Sequence, residues 1–464
     1  MKDRWRGGLR GIAAFLLVVA AWTPDAKGQS DYYQEVPKEG RIYVFVTADF
    51  QKGWEQSGEM GNKVISFLGY GPNGETVLFE NAKALELYNA RHGTKEAPPP
   101  EAPPEVKLPF NVQYRYPGLR LSFPKAEINL SNRLQVRYTQ EQFDDIRTRP
   151  NPFPTALEDK GSFRIRRMKT KFDGWIYTRD LTYELQLNWP DTANPLEDAN
   201  LDYDFTSGKK LVRLKAGQFK APFSFQQLTS SGNLQLVDRS ILDGFFVPAR
   251  QLGAQVWGQF GPETVADFVD WRVGLFNGNG RTTTANDNDE FQYVGRVVIS
   301  PWGGVGYSES NLEAYDFRLS FAGEYNNNDA IIQPATGART GTEVETFGAS
   351  VVLKAVKALF VYGQYFSGQS ETAAGVETDR DGWLLQGGWL FTPKWEVAAR
   401  YGVIDPNTDT DDNDQTEWRA GVSWYMNRHN WKLQADYGET ENEAAAATTF
   451  RTLKELRIQA QLIF

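Results

Sequence analysis

The chain has 464 residues, of which 14% are aromatic and 23% charged, with no cysteine, two histidines and a formal net charge of −9. Its mean hydropathy of −0.52 excludes a polytopic helical membrane protein, and the aromatic content excludes wholesale disorder. Without cysteine there is no disulfide scaffold, thiolate metal site or cysteine nucleophile; His92 and His429 alone cannot build a multi-histidine centre, and the acidic balance argues against nucleic acid as a partner.

Residues 1–28 read as an export signal. Lys2, Arg4, Arg6 and Arg10 give a basic start, Gly11 to Trp22 is apolar, and Ala26-Lys27-Gly28 offers small residues for cleavage. The apolar run is too short to span a bilayer as a helix, and no stop-transfer pattern follows, which disfavours a retained anchor. Cleavage would remove five basic and two acidic residues and leave a net charge of −12.

Residues 29–96 suggest a small α+β accessory module facing the periplasm. Arg41 to Phe50 and Lys63 to Tyr70 have strand composition, and Asn81 to His92 reads as a short helix. A poorly ordered leader is the competing reading, because a unit this small without cysteine buries little core. A linker over 97–125 follows, with APPPEAPPE (Ala97 to Glu105) as a semi-rigid polyproline spacer.

From 126 to 464 the sequence alternates with period two in short segments divided by turn residues. Arg133, Gln135 and Arg137 share one face, opposite Leu134, Val136 and Tyr138. Glu184, Gln186 and Asn188 oppose Tyr183, Leu185, Leu187 and Trp189, and the last strand puts Leu456, Ile458, Ala460, Leu462 and Phe464 on one side. Sixteen such segments begin near Ala126, Ser162, Leu181, Ala199, Lys210, Leu252, Phe268, Phe291, Tyr315, Val344, Ala358, Gly382, Lys394, Thr416, Asn430 and Phe450. Tight connections such as Tyr177 to Asp180, Thr392-Pro393 and Asn427 to His429 alternate with long polar ones, the longest being Ala221 to Gln251. An even strand count with short turns at one end and long loops at the other predicts an all-β fold, a transmembrane antiparallel β-barrel of about 16 strands, closed because an edge in lipid leaves backbone groups unpaired. Trp175, Tyr177, Trp189, Trp389, Trp395 and Trp424 suit interfacial girdles. Ser300 to Glu313 breaks the pattern: it should be a tight periplasmic turn and is long. Soluble β-sandwiches share the alternation but need neither the loop asymmetry nor a terminal aromatic strand.

The ordered set Phe163-Arg164-Ile165-Arg166-Arg167, Leu214 to Ser224 (LKAGQFKAPFS), Leu228-Thr229-Ser230-Ser231, Asp238-Arg239-Ser240, Pro248 to Gly253 (PARQLG), Val273 to Gly278 (VGLFNG) and Arg457 to Phe464 resembles the phosphate-selective porin O/P family over residues 126 to 464. The resemblance implies a 16-stranded porin of the bacterial outer membrane, surrounded by its lipids and assembled as a homotrimer. It further implies a constricting loop after the fifth strand, where Ala221 to Gln251 lies, and a C-terminal Phe464 read by the barrel-assembly machinery. The expected function is passive diffusion of small polar or anionic solutes, with no cofactor, metal or enzymatic step.

Selection in such a channel follows from fixed lumen charges. Arg133, Arg137, Arg164, Arg166, Arg213 and Lys215 on strands, with Lys220, Arg239 and Arg250 near the long loop, form a candidate basic ladder for anions such as phosphate. Arg167, Lys169 and Lys171 fall opposite Arg164 and Arg166, so that strand is either mixed on one face or bulged. Asp238 and Asp243 could instead partner Arg239 or anchor the loop. The acidic stretch Asp405 to Asp414 and Asn286 to Glu290 invite a calcium reading, but the EF-hand glycine and helices are missing and solvated outer loop is preferred. Two other classes compete. A barrel enzyme would need a nucleophile and base at the rim, where neither His92 nor His429 is well placed; a structural barrel would use the 37–96 module to dock an envelope partner.

Overall fold

The computed structural model describes residues 32–58, 60, 64–93, 110–115, 117–144, 159–262, 265, 267–281, 286, 288–329, 332–333, 338–339, 342–443 and 452–464. The expected export signal and the APPPEAPPE spacer lie outside the described residues. The chain divides into two compact units, residues 1–107 and 108–464.

In the first unit, β1 (Gln34–Lys38) and β2 (Arg41–Phe45) form a hairpin whose turn residues Glu39 and Gly40 have φ of 53° and 74°, the left-handed pair that a tight hairpin uses. Helix α1 (Ala48–Ser57), β3 (Ile65–Phe67), β4 (Thr76–Phe79) and α2 (Ala82–His92) complete it, with sheet order β1-β2-β4-β3. Alternation along β2 feeds two cores: Ile42 and Val44 pack with Val77, Phe79 and the α2 residues Ala84 and Tyr88, while Phe45 packs with Trp54 of α1. Asn81 caps α2 by accepting from the Lys83 and Ala84 amides. The Glu80 carboxylate takes the amides of Val46 (2.8 Å) and Thr47 (3.0 Å) and the Thr47 hydroxyl (2.6 Å), fixing where β2 ends and α1 begins. The strand expected to run on to Phe50 therefore stops at Phe45.

The second unit opens with a hairpin, β5 (Asn111–Arg115) and β6 (Gly118–Phe123), inside the stretch suggested as linker. Then come β7 (Ala126–Asp144), β8 (Lys160–Ile176), β9 (Thr178–Asn188), β10 (Leu196–Asp204), β11 (Arg213–Lys220), β12 (Arg250–Phe260), β13 (Val269–Phe276), β14 (Gln292–Ile299) and β15 (Phe317–Asn328). A small pair, β16 (Ile332–Gln333) and β17 (Ala338–Arg339), stands apart in one connection. The wall resumes with β18 (Thr342–Ala355), β19 (Leu359–Thr372), β20 (Glu377–Thr392), β21 (Trp395–Asp405), β22 (Gln415–Asn427), β23 (Trp431–Asn442) and β24 (Thr452–Ile463). Every neighbour is antiparallel, and β24 closes onto β7 from Ile463↔Arg133 to Thr452↔Asp144, giving a ring of sixteen. Each expected segment corresponds to one of these strands. Below the end of β24, β6 takes over the free edge of β7, from Leu119↔Leu130 to Phe123↔Ala126, so the seam stays paired where the C-terminal strand runs out.

The outward face is apolar, as lipid requires, and carries paired rings near both ends. Trp395 and Trp424 stack at 5.4 Å toward the short-turn end, while Trp383 meets Tyr401 and Trp418 meets Tyr437, both at 5.6 Å, toward the long-loop end. Tyr177 and Trp189 are outward and exposed. Trp175 is not a girdle residue: opposite Glu127, it has the parity of Arg133 and Gln135, on the lumen face.

Candidate functional site

Part of the lumen is filled by the chain itself. The connection 221–249, between β11 and β12, folds inward and carries two short helices, α3 (Phe225–Leu228) and α4 (Ile241–Phe246). Its Phe223, Phe225, Leu242 and Phe246 pack on inward Phe276, Val294, Val352, Phe360, Tyr362, Phe366, Leu384 and Ile404, where a water-filled barrel would present polar groups. Phe223 and Phe366 stack at 5.5 Å. Burying these rings holds the loop to one wall at about 25 cal/mol per Å² of apolar surface.

The rest of the loop is tied to polar side chains of β7 and β20–β24. Asp436 accepts the Val237 amide at 2.7 Å, and Lys432 donates to the Leu234 carbonyl at 2.7 Å. The Gln235 side chain donates to Glu396 at 2.7 Å. Arg400 donates to the carbonyls of Asp238 and Arg239, both at 3.1 Å, and pairs with Glu417 at 2.8 Å. Arg419 pairs with Asp436 (2.8 Å) and Glu455 (2.9 Å). The buried charges here meet an opposite charge or a carbonyl, or, for Glu396, the neutral donors of Gln235 and Tyr425, which is the condition for tolerating charges out of water.

A passage of about 710 Å³ remains along β7–β13, lined by eleven Arg or Lys and only four Asp or Glu side chains, so its walls are net positive. Lys169 pairs with Glu197, and Arg250 grips Asp198 (2.8 Å) and Glu197 (3.3 Å). Lys171 reaches Glu184 at 3.3 Å, and Arg272 holds Asp270 through two hydrogen bonds of 2.7 and 2.8 Å. At the loop-side mouth the hydrogen bond from Arg281 holds the Asp191 carboxyl below its ordinary range. Lys220 is spent on the loop backbone, donating to the carbonyls of Gln227 (2.6 Å) and Thr229 (3.1 Å), and Arg239 donates to those of Gln226 (2.8 Å) and Thr229 (2.7 Å). Among the described residues, Arg133, Arg166, Lys215 and Lys220 have no carboxylate partner. Arg133 meets only the hydroxyls of Ser230 (2.9 Å) and Ser231 (3.1 Å), and Lys215 lies 4.8 Å from the Phe219 ring.

Of the nine ladder residues, Arg133, Arg166, Lys215, Lys220, Arg239 and Arg250 line this passage. Arg137 and Arg213 point inward but do not line it. Arg137 is fully buried in a 2.5 Å bridge to Asp238, and Arg213 is held by Asp202 at 2.9 Å and by the Trp257 ring at 5.0 Å. Arg164, opposite Arg137, is exposed outside the passage. A bulge explains the mixed run on β8: register jumps from Gln135↔Arg167 to Val136↔Ile165 and leaves Arg166 unpaired, so Arg166, Arg167, Lys169 and Lys171 all reach the lumen. Arg167, Lys169, Lys171, Arg272 and Arg281 are therefore passage residues missing from the ladder. For Arg272 the signal was present, since Asp270 and Arg272 alternate with Val269, Trp271 and Val273. His92 lies in the first unit, and His429 is buried against Ser308 at 3.0 Å. No cluster of His, Asp and Glu able to hold a metal occurs among the described residues.

A sequence profile described as phosphate-selective porin O and P matches residues 138–464. Among solved structures, the outer-membrane expressed OmpT of Vibrio cholerae is similar at 13% identity and a TM-score of 0.50, covering 74% of this chain and 100% of that one. An anion-selective porin from Comamonas acidovorans is similar at 11% identity and a TM-score of 0.50, covering 73% and 100%. At these identities the likeness is one of fold. No curated protein matches the chain in sequence.

Proposed function

The chain belongs to the phosphate-selective porin O and P family and forms an outer-membrane channel, and from that premise we propose that its passage selects small oxyanions, phosphate among them. The observation that carries this reading is the surplus of cations on the passage wall, four of them without a carboxylate partner and three of these, Arg133, Arg166 and Lys215, not spent on backbone carbonyls either. In a narrow throat of low dielectric such charges raise the local concentration of anions and repel cations. Guanidinium forks suit tetrahedral oxyanions through paired N–H donors. The channel carries out no chemistry in this reading, and among the described residues His429 is not one of those that line the passage.

The test is planar-bilayer recording on the purified chain, with reversal potentials in a KCl gradient and phosphate added against a chloride current. Anion preference and block by phosphate are expected. The triple change Arg133→Gln, Arg166→Gln and Lys215→Gln should weaken block by roughly tenfold or more, each charge-assisted contact being worth on the order of 1 kcal/mol. A cation-preferring wild type would sink the reading.

The proposal extends to the rest of the chain. Residues 1–28 direct export, the 29–96 module and a tether that ends before β5 lie on the periplasmic side, and the β5–β6 hairpin with 126–464 is the porin domain. Phe464, whose amide and carbonyl pair with Asn132, offers the terminal aromatic that barrel-assembly machinery would read. Homotrimers, the assembly the family implies, would show as a heat-sensitive threefold mass on native gels; a monomer in mild detergent would contradict this.

A further inference from the structure

The connection 300–316 joins β14 to β15 at the end where the barrel otherwise turns tightly. Instead of turning, it climbs into the lumen and is fixed there. The Glu309 carboxylate accepts from the Gln235 amide (2.8 Å) and from the side-chain amides of Gln386 (2.9 Å) and Gln226 (3.1 Å), and its own amide donates to the Asn233 carbonyl at 3.0 Å. Asn311 donates to the carbonyls of Tyr315 (2.9 Å) and Ala355 (3.2 Å) and accepts the Tyr315 amide. Glu313 pairs with buried Lys354 at 3.0 Å. A segment held at so many points is a fixed wall, not a moving lid.

That wall delivers one side chain to the passage. The ring of Tyr307 stacks on Phe225 of the inward loop at 5.9 Å and meets the guanidinium of Arg272 at 5.4 Å. Arg272 also lies 5.4 Å from the Trp257 ring, and Asp270 takes its Nε and one Nη2 hydrogen. Rings and carboxylate thus fix the guanidinium plane, while Nη1 has no protein partner among the described residues. Tyr307 and Arg272 both line the passage, and register sets Arg272 opposite Trp257, nearer the short-turn end than Arg250 at the loop end of β12.

We propose that the 300–316 turn is a second selectivity element at the periplasmic side of the passage, in which Tyr307 sets the free width and aims the Arg272 guanidinium at a passing small oxyanion. This rests on the anion-channel reading above. An anion leaving the loop-side cations then meets one more pre-oriented donor before release, and solutes wider than the gap beside Tyr307 are refused.

Single-channel recording on the full chain tests this with Tyr307→Ala, Tyr307→Trp and Arg272→Gln, using Trp302→Ala as the control because Trp302 lies in the same connection but faces outward and is exposed. Conductance should rise in Tyr307→Ala and fall in Tyr307→Trp. Phosphate block of chloride current should weaken about fivefold in Tyr307→Ala and Arg272→Gln, the loss of one charge-assisted contact. Heat-dependent gel mobility reports folding, and the Trp variant, which keeps a ring on Phe225, carries the test where the Ala variant does not assemble. Wild-type conductance in both Tyr307 variants overturns the proposal. If wild type prefers cations, the oxyanion reading falls, while opposite conductance shifts in the two variants still support Tyr307 as a width-setting residue.

Discussion

At the turn joining β18 to β19, Val356 and Lys357 have φ of 46° and 59°, a conformation costing about 1–2 kcal/mol for each residue with a Cβ and rare for a β-branched one. The backbone tolerates it because the Val356 amide donates to the Asp316 carbonyl (2.8 Å) and the Lys357 amide to that of Tyr315 (2.9 Å), so the strained turn also latches the end of the inward 300–316 segment. Lys357→Gly should relieve the Cβ strain and keep both hydrogen bonds, stabilising the barrel by about 1 kcal/mol. The 3.5 Å pair of Lys357 with Asp316 is lost, but both side chains are largely exposed, and such pairs contribute little. The expected result is a higher temperature for the heat-induced change in gel mobility; a lower one would mean the ion pair outweighs the backbone.

Among elements, the inward loop 221–249 decides where solute can go, and Arg137 is one of its fully buried anchors. Fully buried, Arg137 pairs with Asp238 at 2.5 Å and donates to Gln459 at 2.9 Å. Truncating one partner of a buried pair costs about 3–5 kcal/mol, because the other charge is left in low dielectric. Arg167 and Arg457 approach Asp238 only at 3.6 and 3.8 Å, so they compensate in part. Arg137→Ala should therefore free the loop tip, lowering thermal stability and giving noisier, larger conductance steps; quiet channels of wild-type size would show that the apolar cluster alone holds the loop. Arg137 also shows where sequence reading ends. Period two predicts its inward direction from neighbours on β7, but the salt bridge is made with a residue about a hundred positions away, which no local pattern encodes. The same limit applies within the nine ladder residues, where sequence does not tell passage-lining ones such as Arg133 and Lys215 from structural ones such as Arg137 and Arg213. A different one hid Lys169 and Lys171, since a single bulged residue, Arg166, inverts the parity of everything after it. Strand positions were legible because lipid on one side and water or polar packing on the other impose alternation over most of the wall, although inward Phe360, Tyr362 and Phe366 break it where the loop packs. The length of Ser300 to Glu313 marked an irregularity, but only the fold gives its direction.

For the whole molecule, net charge and passage charge have opposite signs: the chain carries −9, yet the passage has eleven cationic and four anionic side chains. Both fields act on an approaching ion, but they differ in reach. Acidic residues of the long connections, such as Asp405 to Asp414, act through solvent and are screened over about 10 Å at 0.1 M salt and about 3 Å at 1 M. Passage cations act across a few ångströms in a confined space, where screening is weaker. Raising KCl from about 0.1 M to about 1 M should therefore reduce the anion preference read from reversal potentials without abolishing it. Cation preference at low salt that turns to anion preference at high salt would mean the acidic loops govern the approach and the passage only the final step. Selectivity that vanishes at high salt would place the controlling charges at the solvated mouth, near Arg281 and Asp191, instead of at Arg133, Arg166 and Lys215.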